Sequence, residues 1–254
     1  MIRVDLNCDV GESFGAWTLG SDNDVLPFVS SVNIACGFHA GDPAVMRRTV
    51  LAALAHGVAI GAHPGLPDLV GFGRRELSVT ASDVYDMVTY QIGALVAIAT
   101  VAGARVMHVK PHGALYNMAA ARPELADAIA RAVRDVNPAL ALVGLSGSAL
   151  ITSGNANGLC TVSEVFADRT YMPDGTLVSR SRRDALVPHV AIAVERAVAM
   201  VTTGTVAAID GTAVAVVADS ICIHGDGPDA AQIAERLHAG LRAAGIHIAA
   251  PVHT

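Results

Sequence analysis

Acidic side chains, histidines and a lysine recur directly after short apolar runs in this 254-residue chain. The clearest case is VKPHGALYN at residues 109–117, where Lys110, His112 and Asn117 follow a run that is typical of a β-strand. In parallel α/β folds, functional groups project from the carboxyl ends of the strands. The phrase therefore predicts one wall of a reaction site rather than an ordinary loop.

Polar groups of this kind follow nearly every predicted strand, which favours one shared site over scattered surface residues. The histidines at positions 39, 63, 112 and 224 come after four different strands. We predict catalytic roles for a group of acids, histidines and one lysine: Asp9, Glu12, His39, His63, Lys110 and His112. We predict substrate binding by a second polar group: Asn7, Asn33, Arg74, Asn117, Glu164, Asp219 and His224. In contrast, Asp42 precedes a proline and is predicted to cap a helix, and Asp68 is predicted to be a turn residue.

Two kinds of chemistry remain open for these residues. Asp9, His39 and His63 could hold a divalent ion (Mg, Mn or Zn) whose bound water is the nucleophile. Without a metal, Lys110 would neutralise an anionic substrate or oxyanion while a histidine and a carboxylate transfer protons. The sequence contains no HExxH, no GxSxG and no phosphate-binding GxxxxGK[ST]. Any nucleotide is therefore bound in a different manner.

The phrase GFGRR at residues 71–75 also supports two interpretations. Its adjacent arginines are typical of a solvated turn. They would equally suit a mobile lid that brings a guanidinium to a carboxylate or a phosphate.

Composition excludes several classes of protein. Hydrophobic residues make up 52% of the chain and charged residues 16%, which excludes a disordered chain. The net charge is −6 and there is no basic run, so we expect no nucleic-acid partner. The longest apolar run, residues 92–104, is too short to span a bilayer, and the N-terminal residues lack the apolar segment of a targeting signal. We therefore expect a cytoplasmic protein with no membrane partner.

The four cysteines lack metal-finger or redox spacing and are predicted to be buried, reduced thiols.

Strand-like and helical runs alternate along the chain. Strands are predicted at residues 2–6, 31–36, 58–62, 105–109, 140–145 and 159–165, and helices at about 43–56, 80–102, 123–136, 190–203 and 228–244. This alternation predicts a single α/β domain over residues 1–254, as a parallel barrel in preference to a doubly wound sheet. Asp210-Gly211 predicts a tight hairpin, whose second arm at residues 213–217 would deliver Asp219 and His224.

Six phrases in order along the chain resemble those of the LamB/YcsF family. They are DLNCDVGESFG, NIACGFHAGDP, GAHPGLPDLVGFGRR, VKPHGALYN, EVFADRTY and ADSICIHGDGP. Together they extend from residue 5 to about residue 230, nearly the whole chain. The resemblance implies an irregular seven-stranded β/α barrel, similar to the glycoside hydrolase/deacetylase barrel.

The resemblance also implies an activity, which is hydrolysis of a cyclic amide. The reaction is the opening of 5-oxo-L-proline to L-glutamate, with ATP as co-substrate and hydrolysis of ATP to ADP and phosphate. Subunits B and C of the 5-oxoprolinase would be the partners, and a homo-oligomer is a further candidate arrangement. Two alternatives remain: a stand-alone metal-dependent deacetylase or amidohydrolase, and a non-catalytic subunit that only binds the substrate.

Overall fold

The computed structural model describes residues 2–180, 182–187, 189–223 and 230–251. The strands are β1 (Arg3–Val10), β2 (Ser31–Ala35), β3 (Ala59–His63), β4 (Val106–Val109), β5 (Ala141–Leu145), β6 (Thr161–Phe166), β7 (Thr205–Ala207), β8 (Ala213–Ala215), β9 (Ser220–Ile223) and β10 (His247–Ile248). The helices are α1 (Asp22–Val25), α2 (Pro43–Ala55), α3 (Ala81–Val101), α4 (Gly113–Ala121), α5 (Pro123–Val136), α6 (Ala149–Ala156), α7 (Val190–Thr203) and α8 (Ala230–Ala243). A 3₁₀ turn at Leu26–Phe28 follows α1.

Seven parallel strands close into a barrel. Their order is β1, β2, β3, β4, β5, β6 and β9, and β9 pairs with β1 to complete the ring. The short β10 adds to the beginning of β1, where Arg3 pairs with His247. This arrangement confirms the predicted seven-stranded β/α barrel, and the helices pack around it because parallel strands need cover on their outer face.

The hairpin at Asp210-Gly211 forms, but its role differs from the prediction. Its arms, β7 and β8, pair only with each other, in an antiparallel two-stranded sheet. The strand that closes the barrel is instead β9, which the sequence pattern does not separate from the hairpin. The reason is that β8 has half-exposed or exposed positions throughout, whereas all four residues of β9 are buried.

The first strand is longer than predicted, extending to Val10 rather than ending at residue 6. Alternate side chains of a strand point to opposite faces. Asp5, Asn7 and Asp9 form one such row, while Leu6 and its alternating neighbours belong to the hydrophobic core. The polar row points into the barrel, so functional residues begin inside the strand and not only after it.

Helix ends follow the predicted signals. The Asp42 carboxylate caps α2 by accepting hydrogen bonds from the backbone N–H groups of Ala44 (2.8 Å) and Val45 (3.2 Å). Thr80 and Asp83 form both hydrogen bonds of a capping box at the start of α3. Among the described residues, α3 is the one helix long and apolar enough to cross a membrane by length and composition. Its Val88, Ile92 and Leu95 are buried in the core, which is typical of a helix that covers a barrel.

Candidate active site

A cavity of about 470 Å³ opens where the carboxyl ends of the strands meet the loops that follow them. The loop at residues 176–180 forms one side of it, opposite the beginning of α4. The charged and polar residues that line it include Asp9, Glu12, His63, Arg74, Lys110, His112, Tyr116, Asn117 and Arg180. Acids, imidazoles and guanidinium groups thus meet at one end of the barrel, as the sequence predicted.

Lys110 occupies the floor of this cavity and is almost fully buried. Its Nζ lies 2.8 Å from Oε1 of Glu164 and 3.0 Å from Oδ1 of Asp9. It also lies 3.2 Å from Oδ1 of Asn7 and 3.0 Å from Sγ of Cys222. Burial opposes the charged amine, but Asp9, Cys222 and Glu164 outweigh it and hold the pKa of Lys110 well above its ordinary value. Lys110 is therefore a permanent cation between two buried carboxylates.

Two asparagines orient these carboxylates from below. Asn33 Nδ2 donates to Oδ1 of Asp9 (2.8 Å) and to Oδ1 of Asn7 (2.7 Å), while Asn7 Nδ2 donates to Oε1 of Glu164 (2.9 Å). His108 Nε2 lies 2.9 Å from Oδ1 of Asn33 and fixes which way that amide faces. The amide groups thereby hold both acids in a single orientation.

A second group forms beside Asp9, where Glu12 and three histidines meet. The ligand atoms of Glu12, His39, His63 and His112 all lie within 4.8 Å of one another, and all four residues are buried. The rings of His39 and His112 stack with their centroids 3.7 Å apart. This group could hold a metal ion.

Backbone carbonyls assign the proton on two of these rings. His63 Nδ1 lies 2.7 Å from the carbonyl of Lys110, and His112 Nε2 lies 2.8 Å from the carbonyl of Phe72. Each of those nitrogens must donate, so in a neutral ring the other nitrogen carries a lone pair. Those two nitrogens, His63 Nε2 and His112 Nδ1, lie 3.0 Å apart.

Two imidazoles of this group, those of His39 and His112, resist protonation. Burial is the largest cause and lowers the pKa of both His39 and His112 well below the ordinary value. Each is also disfavoured as a cation by the neighbouring histidines, including His63. At neutral pH His39 and His112 are therefore neutral rings next to the Glu12 carboxylate.

Two glycines let loops approach these rings closely. A Cβ on Gly65 would lie 2.5 Å from His39 Nδ1, and a Cβ on Gly73 would lie 2.8 Å from Cβ of His39. Gly73 also has φ of +63°, a left-handed conformation that favours glycine. Here the GFGRR loop packs directly over the histidines. The two arginines of this loop differ in position. Arg74 lines the cavity, whereas Arg75 pairs with Asp68 outside it.

The structure distributes the predicted site residues over several places. Asp9 and Lys110 form the floor, Glu164 is buried beneath it together with Asn7 and Asn33, and Arg74 and Asn117 also line the cavity. The predicted metal trio of Asp9, His39 and His63 shares two members with the compact group of four, and Asp9 Oδ2 lies 3.3 Å from Nε2 of His63.

Four predicted residues are buried and do not line the cavity: Asn7, Asn33, His39 and Glu164. Two further predicted residues are not brought to the cavity by the described structure. Asp219 precedes β9, at the end of that strand away from the cavity, where its carboxylate accepts a hydrogen bond from the backbone N–H of Ser163 (2.9 Å). His224 lies outside the described residues.

Sequence reasoning missed three residues that contact the floor or support it. The Tyr116 hydroxyl donates to Oε2 of Glu164 (2.8 Å), Cys222 contacts Lys110, and His108 bonds to Asn33. The available signal was alternation. His108 lies on β4 and Lys110 directly follows that strand, two residues later, so they share a face, as do Ser220 and Cys222 on β9.

Comparison with known proteins agrees with the motifs. The family model described as the LamB/YcsF family matches residues 4–254. The chain is 58% identical to the 5-oxoprolinase A subunit of Tolumonas auensis, over 98% of this chain and 100% of that protein. It is 56% identical to the 5-oxoprolinase A subunit of Bacillus cereus, over 99% of this chain and 100% of that protein. It is also similar to the crystal structure of the lactam utilization protein from Thermus thermophilus, with a TM-score of 0.93, 46% identity, and coverage of 98% of this chain and 100% of that one.

Proposed function

The chain belongs to the LamB/YcsF family, and we propose that it is the A subunit of a 5-oxoprolinase that opens 5-oxo-L-proline to L-glutamate. The observation that carries this proposal is full-length similarity. Relatives of 55–58% identity that bear the name of the 5-oxoprolinase A subunit align over at least 98% of this chain. The alignments also cover 100% of each of these relatives.

The chemistry explains why ATP is needed as co-substrate. A five-membered lactam is a stable amide, and its carbonyl is a poor electrophile. Transfer of the terminal phosphoryl group of ATP to the lactam oxygen gives an imidate-like phosphate ester and ADP. Water then adds to that carbon to give a tetrahedral adduct, and the C–N bond opens with a proton passing to nitrogen, which leaves an acyl phosphate. A second water hydrolyses the acyl phosphate to glutamate and phosphate.

The floor of the cavity suits the step in which water adds. Asp9 lines the cavity with its carboxylate held by Lys110 and Asn33, so its orientation is fixed before substrate arrives. We assign Asp9 as the base that takes a proton from the attacking water. Lys110 has three N–H groups and already meets four acceptor atoms, so its role is to balance the charge of Asp9 and Glu164.

Arginines at the cavity suit the substrate carboxylate. Arg74 lines the cavity on the GFGRR loop, and Arg180 lines it on the opposite loop. A planar guanidinium can bind a carboxylate through two parallel hydrogen bonds. We assign the carboxylate of 5-oxoproline to Arg74, which places the lactam ring between that loop and Asp9.

The partners follow from the same proposal. Subunits B and C would associate with this chain in the cytoplasm and take part in handling ATP, because the sequence lacks a phosphate-binding GxxxxGK[ST] loop. We further propose that the chain forms a homo-oligomer within that complex.

Reconstitution tests this function. Glutamate release from 5-oxoproline is measured with this chain and subunits B and C, and again with each component or ATP omitted. We expect release only when all are present. Amide hydrolysis by this chain alone without ATP would overturn the proposal in favour of a stand-alone amidohydrolase. Undiminished release by complexes carrying Asp9→Asn would instead favour a subunit that only binds substrate.

A further inference from the structure

The group formed by Glu12, His39, His63 and His112 has the spacing of a metal-ligand set. Glu12 Oε1 lies 3.5 Å from Nε2 of His39 and 3.5 Å from Nδ1 of His112. His63 Nε2 lies 3.0 Å from Nδ1 of His112. A tetrahedral ion with ligands at about 2.1 Å separates them from one another by roughly 3.4 Å, so three edges of this group already agree within a few tenths of an ångström.

The ring protons of two members of this group, His63 and His112, point away from its centre. Because His63 and His112 donate to the carbonyls of Lys110 and Phe72, the nitrogens that face each other at 3.0 Å both carry lone pairs when the rings are neutral. Two facing lone pairs repel unless a cation or a proton lies between them. Backbone acceptors behind metal-bound histidines fix ring orientation in the same way.

His39 supplies an independent observation. It is 1% exposed, and within the described residues neither of its ring nitrogens makes a hydrogen bond. A buried imidazole with no hydrogen bond is costly, because its polar atoms have lost water without gaining a partner. The Nε2 atom faces Glu12, and an ion at the centre of the group would satisfy it once one ring turns out of the parallel stack of His39 on His112, because parallel rings 3.7 Å apart cannot both direct an in-plane lone pair at one ion.

We propose that Glu12, His39, His63 and His112 bind one divalent transition-metal ion, with Zn²⁺ the best fit. Three imidazole nitrogens and one carboxylate oxygen suit Zn²⁺ and its neighbours, whereas Mg²⁺ prefers oxygen ligands and water. Asp9 is not one of the four residues whose ligand atoms lie together, although its Oδ2 lies 3.3 Å from His63 Nε2, and its Oδ1 is held by Lys110 and Asn33. Glu12, His63 and His112 line the cavity, so an ion can enter from it.

Binding of Co²⁺ to the purified, chelator-treated full chain tests the site without reference to activity. Tetrahedral Co²⁺ absorbs visible light far more strongly than octahedral Co²⁺, so a saturable visible band reports both occupancy and geometry. We expect saturation at one ion per chain and displacement by Zn²⁺ but not by Mg²⁺. Absence of a saturable band in the folded wild-type chain would overturn the proposal.

Variants assign the ligands. We expect Glu12→Gln and His39→Ala each to weaken Co²⁺ binding at least about 100-fold, since loss of a residue that merely supports a ligand already costs roughly 10–100-fold. Asp9→Asn should retain the band, and the control His56→Ala, which changes an exposed histidine at the end of α2, should bind like wild type. Circular dichroism confirms that each variant is folded. Retained wild-type binding in folded Glu12→Gln and His39→Ala, or loss in His56→Ala, would contradict the assignment. Because no substrate or partner is present, failure here is distinct from failure of the 5-oxoprolinase proposal.

Discussion

The ammonium of Lys110 lies 2.8 Å from Oε1 of Glu164 at the bottom of the barrel cavity, where both side chains are almost fully buried. The Tyr116 hydroxyl and the Asn7 amide complete the hydrogen bonds of that carboxylate. The segment after β4 and the strand β6, which are separated by β5 in the barrel, are thereby joined through interior side chains.

Removing the charge of Lys110 should destabilise the fold strongly. In Lys110→Met the carboxylates of Glu164 and Asp9 lose their cation inside the barrel. Breaking a buried pair from one side typically costs roughly 3–5 kcal/mol. We expect a loss of that size in the free energy of unfolding measured with urea. The double variant Lys110→Met/Glu164→Gln should recover part of it, and a double variant no more stable than the single one would argue against this pairing.

Substitution of Gly61 tests whether His108 positions the Asn33 amide. A Cβ on Gly61 would overlap the ring of His108, which is buried and bonded to Asn33. Overpacking of this kind costs about 1–3 kcal/mol, and we expect Gly61→Ala also to lower glutamate release by displacing His108. In contrast, a Cβ on Gly93, within α3, meets nothing within 4 Å. Gly93→Ala should therefore stabilise the helix by up to about 1 kcal/mol. Equal stability and equal glutamate release of the Gly61→Ala and Gly93→Ala variants would contradict the predicted overlap with His108.

Asp5 should make stability fall as pH rises. Burial is the main cause that raises its pKa to about 6, against the lowering effect of hydrogen bonds from Ser220, Ser30 and Ser31. The folded state therefore holds the proton more tightly than the unfolded chain. That contribution is fully present below about pH 4 and is lost as pH rises through about 6. Relative to Asp5→Asn, the wild-type free energy of unfolding should fall by roughly 3 kcal/mol across this window. A constant difference between the two proteins from pH 4 to pH 7 would contradict the shift.

The two arginines of the GFGRR loop should differ in effect. Arg74 lines the cavity, whereas Arg75 pairs with Asp68 and its side chain is 63% exposed. In the reconstituted complex we expect Arg74→Ala to raise KM for 5-oxoproline at least about 10-fold, the effect of losing roughly one charge-assisted hydrogen bond. Arg75→Ala is the matched control and should leave KM within about 2-fold of wild type, because Arg75 does not line the cavity and pairs with Asp68 outside it. A larger effect from Arg75 than from Arg74 would reverse the assignment.

Much of the fold was predictable because its signals are local. Asp42, the Thr80–Asp83 box and Pro123 mark helix starts at the positions where the structure has them. The hairpin and the closing strand were not separable by local pattern, because β8 and β9 are both short apolar runs. Only their burial distinguishes them, and burial depends on the closure of the barrel.

The sequence predicted which residues form the site better than it predicted how those residues group together. The sequence brought Asp9, Lys110 and the histidines to one end of the barrel, but it offered no basis for sorting them into a charged floor and a Glu/His group. That sorting depends on side-chain directions across strands that are far apart in the chain. Contacts such as Tyr116 with Glu164 join residues 48 positions apart and leave no trace in local spacing.

The most direct test of the account is glutamate release by a complex of this chain with subunits B and C in which this chain carries Asp9→Asn. The substitution keeps the shape of the side chain but removes the base assigned to the attacking water. General base catalysis typically contributes about 10²–10⁴-fold, so we predict that kcat falls at least about 100-fold while the complex still assembles. An assembled complex with kcat within about 2-fold of wild type would contradict the claim that this cavity performs the hydrolysis.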